Sequence, residues 1–381
     1  MERASIWNEP DGEEARLSRR AATTTLLAGG FGLALAGVLP AACGRRARQG
    51  EVVIYASADD AIAREVLHAC TIATGVRLAR VFDTEATKTT GLENRIRAER
   101  NRPRADLFWS SEEFATARLA ADGLLAALPD DVRAGFGPAR ITADGHALAF
   151  SVRARVVVWN PERLGPDAAV PRLWSDFADP SASGSIAIAD PRFGTTRGHL
   201  AALDAAWRAA RASDPSAPTL DGFLDGLRSR GVRVLTGGNA ATVEAVATGE
   251  CAFGFTDTDD ALVAIERGLP IRMALPRSLP EGVAGGGTML VPNTVGIVRG
   301  GPAGGGDEVR RVARWLASPE CEVILCRSAS RNAPLDPSAI CKPPFAESDP
   351  LAFDLASAAA GAAELAMRAH ARLAGAGDSR R

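Results

Sequence analysis

Tyrosine is almost missing from this chain. Of 381 residues only Tyr55 carries a phenol, and only four are histidine (His68, His146, His199 and His370). Chemistry that needs paired phenolates or clustered imidazoles has no residues to work with. A basic excess is missing too: 44 Lys and Arg face 46 Asp and Glu, a formal charge of −2. That balance argues against nucleic acid as a partner, since neutralising phosphates needs a basic face. The cysteines (Cys43, Cys70, Cys251, Cys321, Cys326 and Cys341) show no metal spacing such as CxxC. Neither a P-loop, an HExxH motif nor a nucleophile elbow occurs. Past the first ~45 residues nothing approaches the ~18 uninterrupted apolar side chains that a membrane span needs.

What is present begins with an export pattern. Leu17-Ser18-Arg19-Arg20 precedes a mildly apolar, Gly-rich run that closes on LPAAC. A charged start, an apolar centre and a small-residue exit describe a signal for export over residues 1–43. The adjacent arginines resemble a twin-arginine signal, and LPAAC resembles a lipobox, which makes Cys43 the candidate lipidation site; an uncleaved anchor is the alternative. Export to an oxidising compartment permits disulfides. Cys326–Cys341 is the pairing to test, and the other cysteines read as small buried hydrophobes.

Strand and helix signals then alternate. EVVIYAS (51–57), VRLARVF (76–82) and ADLFWSS (105–111) are short apolar strands separated by helical periods. The rhythm restarts with SIAIADP (185–191), VRVLTGG (232–238) and CAFGFT (251–256). Strand–helix–strand units of this kind predict parallel sheets flanked by helices. Two longer strands, 146–160 and 289–300, carry the chain across and back, and GVAGGGTM (282–289) reads as its most flexible stretch. The expectation is two α/β lobes with a cleft between them: residues 51–150 and 291–381 in one, 151–290 in the other, and the terminal helices (307–328 and 352–374) packed on the first.

In such sheets, ligands meet the C-terminal ends of strands and the N-termini of the helices that follow. Every such junction here is polar. They carry Ser57 and Asp59; Thr87, Lys88 and Thr89; Ser111 and Glu112; Thr195, Thr196 and Arg197; and Asn239. Hydroxyls and helix N-termini suit an anionic or polyhydroxyl ligand, although each such residue can equally be a helix cap. Arg153 and Arg155 lie two apart on a crossing strand and share a face. Trp109 stands at the end of a cleft-facing strand, where it can stack on a ligand or serve only packing.

These blocks, together with FDTEATKTTGLENRIRAE, SVRARVVVWNP, GSIAIADPRFGTTRGH, GECAFGFTDTDDA and LVPNTVGIV, resemble the periplasmic solute-binding proteins of ABC importers over about residues 51–335. The closest resemblance is to the branch labelled ferric-iron binding. The resemblance implies a type 2 periplasmic-binding fold and a monomeric receptor that hands a small solute or ion to an inner-membrane permease. Neither a cofactor nor catalysis is implied. An exported enzyme, or a ligand-sensing subunit of a receptor, are the rival classes.

The iron label fits poorly. Ferric-binding members use two adjacent tyrosines, helped by a His or acidic residue from the first strand loop and often a Glu. In the frame of GECAFGFTDTDD the tyrosine pair falls on Asp259 and Asp260, and the first-loop ligand falls on Asp59. If a metal binds, its ligands are expected among Asp59, Glu112, Asp259 and Asp260. Crowded carboxylates repel unless something positive sits among them, and FGFTDTDD puts Asp257, Asp259 and Asp260 within four positions. One reading makes Asp257 a helix cap with the next two in the first turn. In the other, Asp259 and Asp260 face a metal ion or an organic ammonium. Adjacent helical residues diverge by ~100°, so convergence would place the pair before the helix proper. With Thr195, Thr196 and Arg197 holding an anionic end, the favoured ligand is an organic anion or a zwitterion such as a phosphonate, ahead of a bare metal.

Overall fold

The computed structural model describes residues 50–83, 90–165, 169–182, 184–342, 345 and 349–374. Strand and helix alternate as β1 (Glu51–Ala56), α1 (Asp60–Thr74), β2 (Arg77–Phe82), α2 (Thr90–Ala98), β3 (Leu107–Ser110) and α3 (Glu113–Ala121). Then come α4 (Asp130–Arg133), β4 (Ala147–Trp159) and α5 (Pro161–Leu164). A second alternation follows: β5 (Ile186–Ala189), α6 (Gly194–Arg211), α7 (Leu220–Ser229), β6 (Arg233–Leu235), α8 (Gly238–Ala247), β7 (Phe253–Asp257), α9 (Thr258–Glu266) and β8 (Arg272–Ala274). The chain returns through β9 (Leu290–Ile297) to α10 (Asp307–Leu316), α11 (Pro319–Arg327) and α12 (Leu355–Ala374).

The strands pair in the order β2-β1-β3-β9-β4-β7-β5-β6, with β8 on β4. β1 is parallel to β2 and β3, and β5 is parallel to β6 and β7. β3 and β5 are buried along their whole length, as the central strands of a helix-covered parallel sheet must be. The long strand β4 belongs to both halves: its first part pairs with β9, its second with β7 and β8. The register shifts between Phe150 and Val152, where Ser151 takes a φ of 44°. A serine in that left-handed region is uncommon. Its N–H donates to Glu322 Oε1 at 2.8 Å, and Val152 N–H to Ala333 O at 2.7 Å, so outside contacts hold the kink.

Separate cores lie on either side of this crossing. Ile54, Leu67, Leu107, Trp109 and Val312 belong to one, and Trp174, Ile188, Leu203, Trp207 and Phe255 to the other. Helices α10 and α11 serve the first core, as expected, but the predicted 307–328 helix is broken. Pro319 cannot continue a helix, and Ser318 caps the new one through Cys321 N–H at 3.3 Å. The last helix departs further from expectation. Leu365, Ala369 and Leu373 of α12 lie in the second core, and its Ala358, Ala359 and Ala362 meet Ala201, Ala202 and Ala206 of α6. Small side chains on both helices permit this close approach, while Phe114 of α3 packs in the same cluster, so α12 joins the two halves rather than resting on the first alone.

The glycine-rich stretch 282–289 is not a free loop either. Thr288 N–H donates to Asp349 O at 2.7 Å, and a Cβ on Gly287 would meet that carbonyl oxygen at 2.0 Å. Its glycines allow close packing of two segments. Cys326 and Cys341 form a disulfide, while Cys70, Cys251 and Cys321 are free and buried.

Candidate functional site

A cavity of ≈ 130 Å³ opens where the strand ends of the two halves meet. Asp59 and Ser111 line it from the first half; Thr195, Thr196, Asn239, Asp257, Asp259 and Asp260 line it from the second; Arg153 lines it from the crossing strand. Nine residues expected at the site thus surround one space. Thr87, Lys88, Thr89 and Cys43 lie outside the described residues.

Asp257 is the hinge of the arrangement. It occupies the N-cap position of α9, yet its carboxylate does not cap the helix. Because β4 and β7 pair Arg155 with Asp257, the two side chains emerge together. Arg155 Nη1 donates to Oδ1 at 2.7 Å; Arg153 Nε (3.2 Å), Thr195 Oγ1 (2.6 Å) and Asn239 Nδ2 (2.9 Å) all donate to Oδ2. Burial would raise the pKa of Asp257, but Arg155 and Arg153 outweigh it and hold the carboxyl below its usual value. The cation among the carboxylates is therefore internal. Arg153 also reaches Asp259 at 3.8 Å. Burial opposes its charge, while Asp259 and Asp257 raise its pKa above the ordinary value.

Asp259 and Asp260 sit inside the first turn of α9, not before it. They converge nonetheless: oxygens of Asp257, Asp259 and Asp260 lie within 4.8 Å of one another. The expected divergence fails because flexible side chains at a helix start can bend back toward the strand end, drawn here by Arg153.

Other expected residues are placed elsewhere. Glu112 does not line the cavity: its carboxylate caps α3, accepting from Phe114 N–H at 2.6 Å and Ala115 N–H at 3.1 Å. Arg197 turns away too. It lies one turn into α6, buried beside Glu93 of α2 at 3.4 Å, and burial followed by the nearby Arg118 lowers its pKa. Ser57 is fully buried behind Ser111, accepting its N–H at 2.9 Å.

Further residues line the same space: Asp190, Thr236, Asn293, Ser330 and Asn332, with apolar contacts from Ile62, Phe193 and Leu325. Asp190 follows β5, so the strand-end rule that found Thr195 could have found it. Its carboxylate is bound by Arg192, with Nη2 at 2.6 Å. Trp109 is a wall residue whose Nε1 donates to Asn293 Oδ1 at 3.0 Å. The N-termini of α6 and α8, at Gly194 and Gly238, complete the lining. Thr196 Oγ1 is buried there with no hydrogen-bond partner among the described residues. Such an opening presents backbone N–H groups and helix dipoles to an anion, beside carboxylates suited to a cation.

No curated protein matches this chain in sequence. Residues 83–321, more than half of the chain, match the family described as bacterial extracellular solute-binding protein. Among solved structures, the chain resembles iron-bound HitA of Pseudomonas aeruginosa at 22% identity and a TM-score of 0.68, covering 84% of this chain and 99% of that one. Apo ferric ion-binding protein A of Pasteurella haemolytica matches at 15% identity and 0.71, over 87% and 100%. AfuA of Actinobacillus pleuropneumoniae, solved with fructose-6-phosphate, matches at 19% and 0.67, over 85% and 98%. All share the type 2 periplasmic-binding fold. The chain belongs to the bacterial extracellular solute-binding protein family, as a receptor of the ABC-importer type.

Proposed function

We infer that the cleft captures a small zwitterion, such as an aminoalkylphosphonate or an amino acid, and that closure of the lobes presents it to an ABC permease. The carrying observation is one cavity lined both by the N-termini of α6 and α8 and by Asp59, Asp259 and Asp260. An acidic group of the solute binds at the two helix N-termini with Thr196; its ammonium binds the carboxylates left in excess after Arg153 and Arg155 have matched part of the charge. The protein acts as a monomer without catalysis, exported and held at the membrane through lipid on Cys43.

Ferric iron is the second reading, because three carboxylates already lie within reach of one ion and carboxylates suit hard metals. Arg153 argues against it: its guanidinium already pairs with Asp257 and Asp259 of the trio, and both oxygens of Asp257 are engaged. Thermal-shift screening of the purified protein against zwitterions, sugar phosphates and ferric citrate tests the choice, since a cleft ligand stabilises by mass action. Stabilisation by zwitterions, lost in Asp259→Asn/Asp260→Asn, is expected. Stabilisation by iron alone would refute the reading.

A further inference from the structure

Behind the wall of the cleft lies a second polar group that the solute does not reach. Arg155, Trp174 and His199 have no exposed surface. Only one edge of Arg155 is used: Nη1 serves Asp257 at 2.7 Å, Thr195 at 3.2 Å and Asn239 at 3.3 Å. Its Nε and Nη2 have no hydrogen-bond partner among the described residues, nor do Nδ1 and Nε2 of His199 or Nε1 of Trp174.

These atoms belong to one neighbourhood. His199 follows Thr195 by one helical turn and shares its face of α6. Trp174 meets His199 edge-on, with ring centroids 4.3 Å apart. It also meets Phe255 at 5.0 Å, and Phe255 lies two residues from Asp257 on β7, hence on the same sheet face. Burial, followed by the charge of Arg155, holds His199 neutral.

The chemistry of the group is one-sided. Guanidinium and indole nitrogens only donate, and a neutral imidazole adds one donor and one acceptor. Buried donors are normally satisfied. Water could accept from them, but among these side chains its own hydrogens would find a single acceptor, the imidazole nitrogen. A halide brings no hydrogens to place. We propose that Arg155, Trp174 and His199 bind a small inorganic anion of chloride size behind the cleft wall. The anion holds the inner edge of Arg155 while the outer edge holds Asp257, Thr195 and Asn239, so its occupancy steadies the solute site. This holds whichever solute the cleft takes.

The test is a crystal of the mature protein grown with bromide replacing chloride, with anomalous data at the bromine edge. An anomalous peak bounded by Arg155 and Trp174 is expected. In solution, replacing chloride by gluconate at constant ionic strength lowers Tm by several degrees, and His199→Phe, which removes the imidazole, abolishes that dependence. Should the variant fail to fold, the anomalous map alone decides. A water-like peak without anomalous signal, or none, overturns the proposal, as does a wild-type Tm indifferent to halide.

Discussion

Arg155 Nη1 lies 2.7 Å from Asp257 Oδ1, with the arginine wholly buried and the carboxylate 2% exposed. Arg155 is the nearest of the cations that make the buried Asp257 charge tolerable, with Arg153 the second. Arg155→Met leaves a buried carboxylate short of a partner and should destabilise the fold by about 3–5 kcal/mol. Arg155→Met combined with Asp257→Leu removes both charges and should recover much of that loss. Urea unfolding of the three proteins measures it; a double variant no better than the single one contradicts the pairing.

Arg153 competes with a metal for the acidic cluster, pairing with Asp257 and Asp259. Arg153→Gln takes the cation out of the Asp257, Asp259 and Asp260 cluster, so the variant should gain affinity for a hard trivalent ion. Terbium luminescence reads this directly: weak for the wild type, at least tenfold tighter binding for the variant. Equal binding by both would show that Arg153 does not guard the cluster.

Glu112 separates a cap from a ligand. Its carboxylate accepts two backbone N–H bonds at the start of α3, so Glu112→Ala should cost about 0.5–2 kcal/mol of stability. Solute affinity should stay within twofold. A large loss of affinity with unchanged stability would return Glu112 to the binding set.

The Cys326–Cys341 disulfide encloses Ser330 and Asn332, which line the cleft. For a separation of 15 residues, reduction should lower stability by about 3 kcal/mol. It should also weaken solute binding by loosening that segment. Calorimetry with and without reductant checks both effects, and unchanged affinity would detach the segment from the site.

His199 sets a pH dependence of stability. Its pKa in the folded state is pushed well below the ordinary value of about 6.5, chiefly by burial. The unfolded chain therefore binds the proton first as pH falls, and the stability present above about pH 6.5 declines below it. His199→Phe should flatten that slope between about pH 6.5 and 5; an unchanged slope would assign it to other groups.

Much of this was legible in the sequence because it is local. Apolar runs of strand length and helical periods between them predict both alternations, and polar strand ends predict Asp59, Thr195, Asn239 and the acidic trio. What escaped depends on contacts distant in sequence. Asn293 reaches the cleft because β9 pairs with β4, and Ser330 and Asn332 because the segment after α11 pairs with β4 through Val152 and Ala333. Glu112 and Arg197 occupy strand-end junctions like their neighbours, but helix capping and the Glu93 carboxylate claim them. That α12 packs on both halves, and not on the first alone, follows from alanine faces whose partner no local pattern reveals.

The central claim is that Asp59, Asp259 and Asp260 serve the cationic end of a zwitterion. Its most direct measurement is isothermal titration of 2-aminoethylphosphonate and ethylphosphonate into the wild-type protein and Asp259→Asn/Asp260→Asn. The account predicts that the amine strengthens wild-type binding by tenfold or more and contributes almost nothing in the variant. Equal affinity of the two phosphonates for the wild type, or a binding response to ferric iron alone, would contradict it.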